Sequence, residues 1–432
     1  MAWAAGGSRK SFYPRGDKIG ACTHHHKARP CRVYNAPLIL PSVYSTVVIT
    51  TLIQVLTALS AVAVPVLAPA AGGELGFSPT LAGYFVGITY LFGSAAALLT
   101  GSLVLRFGSI RVSQAALLCC AIAMGLLTVL PLWAMPLAAL FLGMGYGPIT
   151  PASSHVLAKT TPPHMMGLMF SVKQTGVTLG GALAGIMLPP IVTDFSWRAA
   201  ALTVSVMCML TVLVSQSLRA ALDGDRDPKH AISMKSLSQP FRLLATHPAL
   251  LRHCLSGGAF AGLQMCFTAY IVAYLTHDFG YTLAAAGIAL AAGNFGGVAG
   301  RILWGLVADR TRAARQILGW LGVVMTLSSF GLAAIGTYWP AALTIAVCLL
   351  FGFTGISWNG VQIAEVSRLS PPGMAGVVSG AGTFMAYAGI MILPPLFAVI
   401  HDTTDSYRVP YVLMALPALA CGVWQLMMRG KR

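Results

Sequence analysis

The chain has 432 residues, of which 27 are Lys or Arg and 11 are Asp or Glu, giving a net charge of +16. Charged residues make up 9% of the chain, against about 25% in soluble globular proteins. So few charges cannot solvate a soluble fold, and ordinary soluble enzymes and nucleic-acid binders are excluded. A membrane protein with many spans remains.

Residues 1–36 are polar and basic, without the apolar segment of a cleavable signal, and are expected to form a disordered cytoplasmic tail. The tail holds Cys22, His24, His25, His26 and Cys31. These residue types suit zinc, but their spacing matches no established finger; chance clustering or an early start codon accounts for them, and no metal is expected. The other seven cysteines fall within or at the edges of apolar runs, where they serve as small hydrophobes.

Past the tail the charges thin out. Residues 112–158 and 316–364 carry none at all, and each run is long enough for a helical hairpin, since about 20 apolar residues cross a bilayer. Cutting the apolar runs at Gly- and Pro-rich turns predicts twelve helical spans. They lie near 43–69, 79–104, 112–131, 135–158, 166–191, 198–217, 252–276, 282–307, 316–336, 340–364, 374–400 and 410–428. A membrane β-barrel is excluded, because its strands alternate over about 10 residues. With both termini cytoplasmic, 23 of the 27 basic residues fall on that side, and Glu74, Asp194, Asp278, Asp402 and Asp405 fall outside. That asymmetry satisfies the positive-inside rule and explains the basic balance without nucleic acid.

The polar stretch 219–250 parts six spans from six, predicting an N-terminal bundle over 37–218 and a C-terminal bundle over 251–432. Internal repetition supports the cut. Gly101, Arg106 and Arg111 after the second span recur as Gly305, Arg310 and Arg315 after the eighth, at an offset of 204. Pro162-Pro163 and Gly167 recur as Pro371-Pro372 and Gly376 at an offset of 209.

This pattern resembles the major facilitator superfamily of secondary transporters over about residues 37–432. The resemblance implies two six-helix bundles that rock about a central site, and gate elements at Asp309, Arg310 and Arg106. The first loop departs from the family pattern, with Leu105 where an Asp is usual; this leaves Asp309 as the better candidate for a charge lock. No Gly-x-x-x-x-Gly-Lys-Ser/Thr loop is present, so ATP is not expected to drive the cycle, and no cofactor is expected.

The buried charges are all positive. No Asp or Glu falls well inside a span, whereas Lys173 and Arg301 do, roughly 15 Å and 12 Å deep at 1.5 Å per residue. A cation at such depth faces a wet cavity or a partner, or else snorkels to the headgroups. By the family's architecture the fifth and eighth spans oppose each other across the cavity, so the two cations would meet there and could hold a carboxylate between them. The context of Arg301 resembles the eighth span of monocarboxylate and oxalate-type carriers, where this Arg binds substrate. Asn294, Gln174, Gln54, Tyr146, Gln264, Asn359 and Tyr387 are the polar side chains expected to complete a substrate site, and for each the alternative is an interhelical hydrogen bond.

The expected activity is secondary active transport of a small organic anion, a carboxylate first, across the inner membrane. The alternative is proton-driven efflux of drug-like or cationic compounds, which usually needs a buried carboxylate. A transporter-like sensor that moves nothing is a third reading. The partners expected are the substrate, the lipid bilayer and a possible coupling proton, carried by the substrate or by His155.

Overall fold

The computed structural model describes residues 43–427, apart from residues 130, 163–164, 233–241, 243, 312 and 371–374. The tail with its Cys and His cluster lies outside the described residues, as does part of the linker. Twelve helices are long and apolar enough to cross a membrane, and no strand occurs among the described residues. They are α1 (Val43–Leu75), α2 (Leu81–Phe107), α3 (Ser109–Val129), α4 (Leu132–Thr160), α5 (Met166–Asp194) and α6 (Trp197–Leu222). The second set is α7 (Pro248–Phe279), α8 (Leu283–Thr311), α9 (Ala314–Ala333), α10 (Ala341–Val366), α11 (Ala375–Thr404) and α12 (Arg408–Met427).

Each expected span is present, with shifted ends. Helix α1 continues to Leu75 through Pro65 and Pro69, whereas the first span was expected to end near residue 69. Proline is tolerated inside a spanning helix because neighbouring helices and local backbone adjustments re-satisfy the groups it frees. The same holds for Pro189-Pro190 in α5 and Pro394-Pro395 in α11.

Within the first bundle α1 packs on α5, α3 on α6, and α2 on α4; within the second α7 packs on α11, α9 on α12, and α8 on α10. The halves meet along α5 with α8, α2 with α11, and α1 with α7. These seams close by backbone approach. Gly83 of α2 lies against the hydroxyl of Tyr270 and the carbonyl of Pro394, and Gly185 of α5 crosses α8 at Gly287. Only a residue without a side chain permits such proximity.

Two helices are interrupted. Helix α4 consists of segments Met135–Tyr146 and Ile149–Thr160, broken at Gly147-Pro148. Helix α10 runs from Ala341 to Phe351, passes through a π-helical stretch at Gly352–Ile356, and resumes at Asn359. The repeat offset of 209 sets Pro148 against Ser357, so the two breaks occupy equivalent places in the two halves. Breaks at matching positions in an internal repeat point to the binding site of a transporter, and π-bulges gather at functional sites.

An acid reaches the loop after α2 from the far end of the bundle. The Asp223 carboxylate, just past α6, accepts the N–H groups of Ile110 (2.8 Å) and Arg111 (3.1 Å) at the start of α3. The N–H of Asp227 donates to the carbonyl of Leu105 at 2.8 Å. Burial pushes the Asp223 carboxyl up despite those two N–H bonds, so the short acceptor matters more than the charge. Asp223→Ala is expected to lower stability by about 1–2 kcal/mol, the usual cost of a lost helix cap, and Asp223→Asn by less. Thermal unfolding of the purified protein reads both.

Beside it, Asp225 pairs with Lys159 (2.6 Å) and His155 (3.1 Å). Partial burial raises its carboxyl, but these two partners outweigh burial and hold it below the usual value. A depressed carboxyl stabilises the fold above its unfolded pKa of about 3.9 and loses that contribution as pH falls through the folded value. His155, considered above as a proton carrier, is thus a half-exposed member of a linker clamp.

Candidate functional site

Between the halves lies a cavity of about 180 Å³. Its walls come from both interrupted helices, through Tyr146 and Thr150 of α4 and Ile356, Trp358 and Asn359 of α10. One flank is the α5–α8 seam, contributing Gln174, Asn294 and Arg301; the other is the α2–α11 seam, contributing Phe85, Tyr90, Tyr387 and Ile390.

Arg301 is the cation of the cavity. Its Nη1 donates to the carbonyl of Gln174 at 2.8 Å, across the seam between halves, and its Nε donates to the carbonyl of Ile356 at 3.3 Å, at the end of the π stretch. A guanidinium has five N–H donors, so three remain for a ligand. No carboxylate pairs with it among the described residues.

Lys173 sits differently. It is 1% exposed and does not line the cavity. Its ammonium donates to the carbonyl of Thr150 at 3.4 Å and to Oε1 of Gln174 at 3.5 Å. Gln174 touches both cations, through its Oε1 and its carbonyl, and so brings Lys173 near Arg301. The direct opposition across the cavity is absent: Lys173 stands behind the wall that Gln174 forms.

Of the other expected side chains, Tyr146, Gln174, Gln264, Asn294, Asn359 and Tyr387 all line the cavity. Asn294 donates to the Leu290 carbonyl of its own helix at 3.0 Å, and Gln264 accepts a hydrogen bond from Trp358 Nε1 at 3.0 Å. Gln54 lies outside the lining, 1% exposed, and accepts from the hydroxyl of Thr150 at 3.4 Å; it supports α4 as an interhelical bond would.

Among the lining residues that sequence reading missed, three stand out. Tyr90 of α2 joins Tyr146 and Tyr387 in a cluster with ring centroids 5.2, 5.0 and 6.4 Å apart. Thr89 brings a buried hydroxyl with no hydrogen-bond partner among the described residues. Trp358 of α10 completes the wall. Uncharged residues in a span bear no sign of depth or direction, so no signal marked them.

The model of one family, the Major Facilitator Superfamily, matches residues 50–394. The chain belongs to the Major Facilitator Superfamily. An MFS-type transporter of Mycobacterium tuberculosis is 24% identical over 296 residues, covering 66% of this chain and 61% of the relative; the match thus spans about three fifths of that relative's length. A probable nitrate/nitrite transporter of the same organism is 26% identical, covering 81% of this chain and 87% of the relative. The benzoate transport protein of Acinetobacter baylyi is 21% identical, covering 88% of both. Among solved structures, a nucleoside transporter superposes with a TM-score of 0.74 at 13% identity, covering 88% of this chain and 99% of that one. That likeness carries the fold. Membership agrees with the twelve helices that are long and apolar enough to cross a membrane.

Of the residues expected to gate this facilitator, Arg106 and Arg310 form no ion pair between halves among the described residues. Arg106 lies over the ring of Phe107, 5.4 Å from its centroid, and Arg310 is exposed. Neither pairs with an acid among the described residues, and the side chain of Asp309 lies outside them. Bonds between halves occur instead towards the opposite end. Thr80 donates to Oδ1 of Asp402 at 3.1 Å, and the Tyr270 hydroxyl, which donates to the Pro394 carbonyl of its own half at 2.5 Å, lies 3.5 Å from the Thr80 carbonyl of the other.

Proposed function

We propose that the protein carries a small organic anion, a carboxylate, by alternating access across the inner membrane, with both termini in the cytoplasm. The observation that carries this reading is Arg301, a guanidinium in the central cavity with three uncommitted N–H donors and no acid beside it among the described residues. A desolvated cation without a counter-ion is costly, and an anionic substrate supplies the missing charge. Two relatives are described as carriers of anions, nitrate or nitrite in one case and benzoate in the other. Cation efflux lacks a comparable feature, since among the described residues no Asp or Glu lines the cavity.

In this reading residues 37–218 and 251–432 form the rocking halves and 219–250 link them. Arg301, Gln174, Asn294 and Tyr146 hold the anion, with Gln264, Asn359 and Tyr387 around it. Lys173 acts through Gln174, by fixing its amide and adding positive potential from behind the wall. The basic loops face the cytoplasm, so the seams that close at Thr80, Tyr270 and Asp402 close the outer path, and the cavity belongs to an inward-facing state.

Counterflow in proteoliposomes tests the reading, with labelled benzoate and labelled nitrate as probes. Exchange of at least one of them, lost in Arg301→Ala, is the expected result. Exchange that survives Arg301→Ala, or exchange of cationic dyes alone, would overturn it. Lys173→Met is expected to weaken apparent affinity only threefold to tenfold, because its ammonium meets the ligand through Gln174. A loss equal to that of Arg301→Ala would put Lys173 in contact with the anion.

A further inference from the structure

Resting on the anion-carrier reading, we propose that the cavity selects monocarboxylates with a flat aromatic body, gripped by Arg301 at the α5–α8 seam and seated against Tyr90 and Tyr387 of the α2–α11 seam, with Tyr146 of α4 packed on Tyr90.

Charge stoichiometry gives the first argument. One guanidinium reaches the cavity, and the second cation, Lys173, is withdrawn behind Gln174. A single accessible cation matches a single negative charge. A dicarboxylate would bury its second charge against neutral amides and hydroxyls, which is unfavourable in a desolvated site.

The second argument is the division of the walls. The α5–α8 seam brings the amides of Gln174 and Asn294 and the charge of Arg301, whereas the α2–α11 seam brings no charge and is mainly Phe85, Tyr90, Tyr387 and Ile390, with the hydroxyls of Thr89 and Thr383. The site is therefore amphipathic across its width. An inorganic oxyanion such as nitrate would satisfy Arg301 and leave the aromatic flank wet. A ring attached to the carboxylate covers that flank and adds offset or edge-on contacts with tyrosine faces.

Size and preorganisation agree. At about 10–15 Å³ per water on this measure, a cavity of about 180 Å³ holds on the order of ten waters, ample for a benzoate-sized ion and far more than nitrate fills. The three tyrosines come from α2, α4 and α11 and already pack on one another, Tyr90 edge-on to Tyr387 at 5.0 Å and tilted against Tyr146 at 5.2 Å. Side chains held in place before the ligand arrives lose little further freedom on binding, which favours affinity. Because the cluster takes rings from both halves, a ligand seated on it senses the rocking motion directly.

The test is a competition series against labelled benzoate in proteoliposomes, with benzoate, cyclohexanecarboxylate, acetate and nitrate as unlabelled competitors. Benzoate is expected to compete at least tenfold better than acetate or nitrate, with cyclohexanecarboxylate between them. The ratio of benzoate to acetate should fall at least fivefold in Tyr387→Leu and in Tyr90→Leu, and stay near the wild-type value in Tyr387→Phe and Tyr90→Phe, which keep the ring. Nitrate or acetate exchanging as well as benzoate would overturn the aromatic seat while leaving the anion carrier intact. A ratio unmoved by the leucine variants would also overturn it. Transport of cations alone would instead sink the anion reading on which the seat depends.

Discussion

Arg301→Lys is expected to lower the affinity for the transported anion by a hundredfold or more, although it preserves the charge. Arg301 performs three tasks at once, donating to the Gln174 carbonyl, donating to the Ile356 carbonyl, and presenting its remaining N–H groups to the cavity. A planar guanidinium does this with donors fixed in one fork, whereas an ammonium is a point charge with three donors on a flexible stem. Lysine could reach one carbonyl or the ligand, and would leave the π-helical end of α10 without its bond from α8. A bidentate grip on a carboxylate adds directional bonds that a point charge cannot supply. A hundredfold loss corresponds to about 2.7 kcal/mol, within the range of one or two hydrogen bonds to a charged group. Titration of the purified variant with benzoate and nitrate reads the affinity, and its unfolding midpoint without ligand shows whether the fold survives. Affinity within threefold of wild type for the anion that the protein binds would remove Arg301 from the site.

The spans were legible because the membrane leaves a coarse signature. Long charge-free runs, and an excess of Lys and Arg on one side, need no side-chain detail to be read. Lys173 and Arg301 were legible for the same reason, as the two cations inside apolar spans. Direction was not. Neighbouring residues on a helix point about 100° apart, and the rise per residue does not say whether Lys173, Gln174 or both face the cavity. The deciding contact is Gly176, one turn on from Lys173, which packs on Thr51 and Gln54 of α1. It turns the face of Lys173 towards α1 and leaves Gln174 towards α8.

The two interrupted helices illustrate the same limit. Pro148 marks the break in α4 openly, since its missing N–H disrupts the helix. The equivalent break in α10 has no proline, and its π-helical stretch reads as an unremarkable apolar run, Gly352-Phe-Thr-Gly-Ile356. The repeat could have found it by setting Pro148 against Ser357. Tyr90 and Thr89 stayed hidden because neither charge nor spacing separates them from a packed span. For the linker, Asp223 was read as an ordinary polar residue, and its service to the start of α3 depends on a contact 113 residues distant.

Gly287→Leu is expected to abolish transport while leaving the protein folded and able to bind ligand. Helices α5 and α8 cross at Gly185 and Gly287 in the half of the membrane away from the basic loops. A Cβ added at Gly287 would run into the Gly185 carbonyl and lie 2.8 Å from Cγ of Pro189. Backbone and proline ring cannot yield as a flexible side chain would, so relief comes from moving the helices apart. Overpacking of this kind typically costs about 1–3 kcal/mol. An equilibrium between two access states shifts tenfold for each 1.4 kcal/mol that separates them, so the closed seam gives way to an outward-open state. The substitution touches neither Arg301 nor the tyrosine cluster, so binding from the outer side persists while the return step is blocked. A cysteine placed at Thr268, a cavity residue on α7, should react faster with an impermeant thiol reagent applied from outside, in a background freed of native cysteines. Gly287→Ala adds only the Cβ and should give an intermediate labelling rate with slowed exchange. Wild-type exchange and unchanged labelling in both variants would mean that the α5–α8 crossing does not open during the cycle, and would move the outer gate to the seam between α2 and α11, where Thr80 meets Asp402.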